Sequence, residues 1–103
     1  MEFMYQLNVG GAMVYGWKAS GEVEYDLHNE PHDNPDGAQT IQQGNDTERH
    51  GSYVAPFDGL HGWYWRNNTQ SPVTVELTAS GFFRGGRIFH ENGTSEAVSV
   101  PSR

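Results

Sequence analysis

The chain predicts an all-β domain, an antiparallel β-sandwich of about seven to eight short strands. Three observations carry that expectation. Apolar residues recur at every second position in one segment after another. Thirteen glycines and five prolines punctuate the 103 residues, and no window sustains a helical repeat. Hydrophobic residues make up only 35% while aromatics reach 13%, so a few large rings must supply much of the buried area. A chain of this length holds one core, placed at 1–90, and the small and polar residues of 91–103 read as a C-terminal tail or linker.

The elements follow in order. Phe3 to Val9 alternates with Phe3, Tyr5, Leu7 and Val9 on one face, and Gly10-Gly11 is a turn signal. Ala12 to Ala19 places Met13, Tyr15 and Trp17 together, and Ser20-Gly21 reads as a reversal. Glu22 to His28 then puts Val23, Tyr25 and Leu27 inward and Glu24, Asp26 and His28 outward. Asn29 to Gly37, with two prolines and a Pro-Asp-Gly turn, is the plainest loop. Residues 38–43 suit either a short strand or one helical turn, and Gly44-Asn45-Asp46-Thr47 is a polar turn.

Gly51 to Phe57 is a strand with Tyr53 and Ala55 alternating. Leu60 to Arg66 and Val73 to Ala79 form a hairpin, with Trp63, Trp65, Val73, Val75, Leu77 and Ala79 inward and Tyr64 and Arg66 outward. Phe82-Phe83 and Ile88-Phe89 flank Arg84-Gly85-Gly86-Arg87, which fits a final hairpin.

Thirteen acids against six bases give a net charge of -7, which disfavours nucleic acid and anionic membrane surfaces and accommodates a cation or a cationic partner. The absence of cysteine excludes disulfides, thiolate nucleophiles and Cys-based metal centres. No run of eighteen apolar residues and no signal-peptide pattern occurs. Two topologies stay open: a complete cytosolic protein, or the soluble part of a longer, anchored one, which the abrupt opening on a strand favours.

Gly11 to Trp17 (GAMVYGW), Val23 to His28, Gly51 to Gly59 and His61-Gly62-Trp63-Tyr64-Trp65-Arg66-Asn67, in that order, resemble the GOLD-type β-sandwich. The likeness is to bacterial membrane-anchored proteins of unassigned activity that carry a G-x-H-G-W-[YF]-W-R-N hairpin, and it covers about residues 5 to 81. It implies a periplasmic or otherwise extracytoplasmic module, tethered to a membrane through a segment outside this chain and engaged with protein partners rather than in catalysis. Eukaryotic cargo receptors of that fold carry a cysteine pair that this chain lacks, so their role does not transfer.

The chemistry-bearing residues gather around histidine. His28, Glu30 and His32 fall within five residues, Asp26 and Asp33 flank them, and His61 follows a turn. Imidazole with carboxylate suits Zn, Cu or Ni, so Asp26, His28, Glu30, His32 and His61 are the candidate metal ligands of an alternative, metal-binding function. The competing reading makes His28 and His61 structural hydrogen-bonders and His32 a solvated loop residue. His50 and His90 read as surface residues. Tyr64 and Arg66 are candidates for an exposed partner-binding patch, against an ordinary solvated sheet face.

No catalytic constellation is evident. Ser52 lies near His50 without a visible third member, and no carboxylate pair sits in an apolar context. The glycine pairs precede no helix that could present amides to a phosphate. The leading expectation is therefore a noncatalytic module for protein–protein interaction or sensing, with no resident cofactor. A small enzyme of jelly-roll type is disfavoured, because His28 faces away from Val23, Tyr25 and Leu27.

Overall fold

The structure, a computed structural model, describes residues 1–85 and 88–101, with the side chains of 35, 82–85 and 88–95 left out of the description. It is an all-β antiparallel domain of six strands: β1 (Glu2–Leu7), β2 (Ala12–Pro31), β3 (Gln39–Val54), β4 (Gly59–Arg66), β5 (Val73–Gly85) and β6 (Ile88–Val100). They form one curled sheet in the order β1-β4-β2-β5-β6, with β3 also paired to β2. The result is a half-barrel rather than the two separate layers expected.

The difference comes from β2, a single strand of 20 residues. Its first half pairs with β5, from Met13↔Gly81 to Ala19↔Val75, and its second half with β4, from Glu24↔Arg66 to Pro31↔Gly59. Along the opposite edge β3 accompanies both halves, with register shifts between Lys18 and Val23 and between Leu27 and His28. Ser20-Gly21 is thus a bend inside a strand and not a reversal. Met13, Tyr15, Trp17 and Ala19 before the bend and Val23, Tyr25, Leu27 and Asn29 after it are all buried. The period-two alternation runs through the bend in phase, so both halves turn the same face to one core.

Rings fill that core. Trp17 meets Tyr25 edge-on with centroids 5.3 Å apart, Tyr15 meets Trp63 at 5.0 Å, and Trp63 stacks on Trp65 at 6.0 Å. Each such ring buries on the order of 200 Å², about 5 kcal/mol of gross hydrophobic stabilisation. Leu7, Val75, Leu77 and Val100 are buried in the same core.

Further expectations change. The expected hairpin of Leu60 to Arg66 with Val73 to Ala79 is not formed: β4 pairs with β1 and β2, β5 pairs with β2 and β6, and the long β2 lies between them. The loop expected from Asn29 starts later, since Asn29 to Pro31 still belong to β2. Gly44 to Thr47 lies within β3 rather than in a turn, and residues 39–43 belong to the same strand. Nearly every β3 side chain is exposed, which gives its sequence the polarity of a loop. The segment from Glu91 also departs from the tail expected there. It pairs with β5 as far as Val73↔Val100, and Val98 and Val100 are buried. The expected final hairpin corresponds to β5 and β6, while its tip at Gly86-Arg87 lies outside the described residues.

Gly10 and Gly62 are among the glycines required by geometry. Gly10 turns the chain between β1 and β2 with φ at +82°, a left-handed conformation that a Cβ opposes. Gly62, in β4 opposite Met4, sits so close to β1 that a Cβ would stand 2.2 Å from the Phe3 carbonyl oxygen. Backbone cannot yield there without separating β1 from β4. Gly62→Ala is expected to destabilise the domain by about 1–3 kcal/mol, the usual cost of overpacking. A urea titration read by tryptophan emission checks this, and an unchanged midpoint would show that the strands are not so closely apposed.

Candidate functional site

The inner and outer faces of the second half of β2 carry different chemistry. Inward, Asn29 is fully buried and begins a chain of polar contacts between neighbouring strands. Its Nδ2 donates to the Tyr53 hydroxyl at 3.2 Å, and its Oδ1 accepts from the Gln39 backbone N–H at 3.1 Å. The Tyr53 hydroxyl lies 2.6 Å from His61 Nδ1, and His61 Nε2 lies 3.1 Å from the Phe57 carbonyl oxygen. A carbonyl only accepts, so Nε2 carries the proton and Nδ1 takes the Tyr53 hydroxyl hydrogen. The chain joins β2, β3, β4 and the turn before β4.

Burial pushes the His61 imidazolium pKa below the ordinary value, reinforced by the charge His32 would carry and opposed by the hydrogen bond to Phe57. Burial likewise raises the Tyr53 phenol, against a smaller opposite effect of its hydrogen bond with Asn29. His61 is therefore held neutral with both ring nitrogens engaged. It faces the core, whereas His28 faces outward, and the two do not share a site.

The remaining expected ligands divide in the same way. His32 sits exposed beyond β2, with Nε2 2.7 Å from Gln6 Nε2. On the outer face, His28 Nε2 lies 3.1 Å from Glu2 Oε2, and Nδ1 lies 3.3 Å from the backbone oxygen of Asp26. Among the described residues the donors that converge are Glu2, His28 and Glu30, one ligand atom of each lying within 4.8 Å of the others. His28 and Glu30 were thus expected together, and His32 and His61 lie apart from them. The Asp26 carboxylate stands 3.9 Å from Nδ1, on the side of the ring away from Glu2. Glu2 was missed in the sequence, since only the pairing of β1 beside β4 carries it to β2.

Tyr64 and Arg66 lie on this outer face as expected. They line a shallow groove of about 450 Å³ with Glu24, Asp26, Gln43 and Asn45. A second depression of about 290 Å³, lined by Glu2, Asp26, His28, Gln39, Thr40 and Tyr64, adjoins it. Asp26 and Tyr64 belong to both, so the two form one polar trough across β3, β2, β4 and β1. Arg66 stands 3.9 Å from Glu24, a weak and solvated pair.

His50 is exposed beside Glu48 at 3.2 Å, while the His90 side chain lies outside the described residues. Asn67, which begins an Asn-Asn-Thr sequence, is buried with its amide donating to Ser71 O and Val100 O and accepting from Thr69. It organises the β4–β5 turn and ties in the end of β6. Among the described residues no helix is long and apolar enough to cross a membrane. Comparison with family models, curated proteins and solved structures finds no match.

Two outcomes follow from the buried chain. Tyr53→Phe leaves the His61 Nδ1 lone pair and one Asn29 N–H without the hydroxyl, and is expected to cost about 1–3 kcal/mol in a urea titration. A loss near zero would mean that water replaces the hydroxyl and the chain is not closed. Acid also weakens the domain through His61. The unfolded chain takes up this proton as pH falls past about 6.5, while the folded state resists until its lower pKa. The His61 contribution is complete above that range and lost as pH drops through it. The stability difference between pH 7 and pH 5 is expected to shrink in His61→Gln, and an unaltered difference would contradict a neutral buried imidazole.

Proposed function

We propose that this chain is a noncatalytic interaction module that receives a basic, extended segment of a protein partner along the trough on its outer face. The observation that carries the reading is the trough itself. Glu2, Glu24 and Asp26 line it against one cation, Arg66, and Tyr64 stands 38% exposed at its middle. A half-exposed tyrosine gives a rigid apolar surface with a polar tip, the type of side chain enriched at interface centres. Acid around it steers a cationic segment and disfavours an anionic one.

The GOLD-like motif at His61 to Asn67, which runs along β4, supports an extracytoplasmic setting, with a membrane tether supplied from outside this chain. It also supports reading the curl as a compressed β-sandwich, in which the half of β2 that pairs β5 and the half that pairs β4 act as opposing layers. The approach of β1 to β5 is consistent with that description.

The test uses a lysine-rich extended peptide and a glutamate-rich one of equal length, followed by amide chemical shifts. The lysine-rich peptide is expected to perturb Glu24, Asp26, Gln43, Asn45, Tyr64 and Arg66 together, with affinity falling as salt rises. Tyr64→Ala is expected to weaken it about fivefold or more, a loss of roughly 1 kcal/mol, and Arg66→Glu to strengthen it. Shifts scattered over the whole surface, or equal binding of both peptides, would reject the trough as a recognition site.

A further inference from the structure

We propose that Glu2, His28 and Glu30 form a binding site for one borderline divalent transition metal, with Zn²⁺ the best fit. The argument is independent of the protein-binding reading above. It starts from the geometry of His28. Nε2 lies 3.1 Å from Glu2 Oε2, and Nδ1 lies 3.3 Å from the Asp26 carbonyl oxygen, which only accepts. With its hydrogen on Nδ1, the ring donates to that carbonyl and offers the Nε2 lone pair to a metal shared with Glu2.

The spacing suits a metal ion. Donors each about 2.0–2.2 Å from one tetrahedral Zn²⁺ stand about 3.3–3.6 Å from one another, close to the His28–Glu2 separation. Glu30 brings a third ligand atom, all three lying within 4.8 Å of each other. A backbone carbonyl behind the far nitrogen is the outer-shell arrangement that fixes ring orientation at metal-bound histidines. The adjoining depression of about 290 Å³ leaves room for a water as the fourth ligand. One imidazole with two carboxylates favours Zn²⁺, Co²⁺ or Ni²⁺ over Mg²⁺ and Ca²⁺, which prefer all-oxygen surroundings. Only small side-chain adjustments are needed, because Glu2 is exposed and Glu30 half-buried on one sheet face.

The alternative is a plain hydrogen bond, with the His28 Nε2–H donating to the Glu2 carboxylate. Calorimetry with Zn²⁺, and separately with Mg²⁺, on the intact chain at pH 7.5 separates the two. The site predicts one equivalent of Zn²⁺, no Mg²⁺ heat, and affinity reduced about tenfold or more in both His28→Ala and Glu2→Gln. His50→Ala, which removes the exposed His50–Glu48 pair, is expected to leave binding unchanged. Glu2→Gln alters one exposed side chain, so its result stands even if His28→Ala disturbs folding. Equal weak heats in wild type and Glu2→Gln would overturn the site, as would loss of binding in His50→Ala. Because Tyr64→Ala removes no metal donor, Zn²⁺ binding is expected to survive in that variant whether or not peptide binding does.

Discussion

The two halves of β2 wall one core from opposite sides, and that constraint governs the register of every strand beside them. In an extended strand, positions eight apart are about 27 Å from each other. Trp17 and Tyr25 are eight apart in β2, yet their rings meet at 5.3 Å. The bend at Ala19 to Val23 therefore converts a linear alternation into two walls around one packed core. A slip of one position in either half would turn Trp17 or Tyr25 to solvent and bring Lys18 or Glu24 inside. The aromatic content answers the same demand. In a chain of modest hydrophobic share, Trp17, Trp63 and Trp65 supply area that smaller residues could not.

The strands β2, β3 and β4 are also tied together by buried polar groups that satisfy one another. Asn29, Tyr53 and His61 are buried, and each finds partners within the chain of contacts that ends at Phe57. Deleting one member exposes the others to an uncompensated desolvation cost, so the set stabilises only as a whole. Its inward position also separates the two histidines that the sequence places side by side in interest. His61 is a structural member of the interior, while His28 belongs to a solvated acidic face. The same sheet thus presents a neutral, sealed surface on one side and a charged, open one on the other.

Much of the interior was legible from alternation alone. Met13, Tyr15 and Trp17, then Val23, Tyr25 and Leu27, then Trp63 and Trp65, then Val73 to Ala79 were each assigned the face they occupy. What misled was punctuation. Ser20-Gly21 has turn composition, yet the inward positions on either side of it stay in phase, the available sign of one continuous strand. β3 was obscured for a different reason. Before Gly51, where its side chains are almost all exposed, it carries Gln, Asn, Asp, Glu and Arg and offers no alternation to read; only its end, around Tyr53, does. The candidate site was half legible: His28 and Glu30 stand out by their nearness in sequence, but Glu30 reads as loop until the structure extends β2 to Pro31, and Glu2 arrives through strand pairing, which no local pattern encodes.

The bend in β2 is tested most directly by proton NMR on the native chain, reading contacts between the Trp17 indole and the Tyr25 ring. A closed core predicts strong cross-relaxation between these two residues of one strand, accompanied by contacts from Tyr15 to Trp63. Tyr25 protons that see only Gly44 and Trp65 across flat neighbouring strands, with no signal to Trp17, would contradict a curled sheet and the two-faced arrangement built on it.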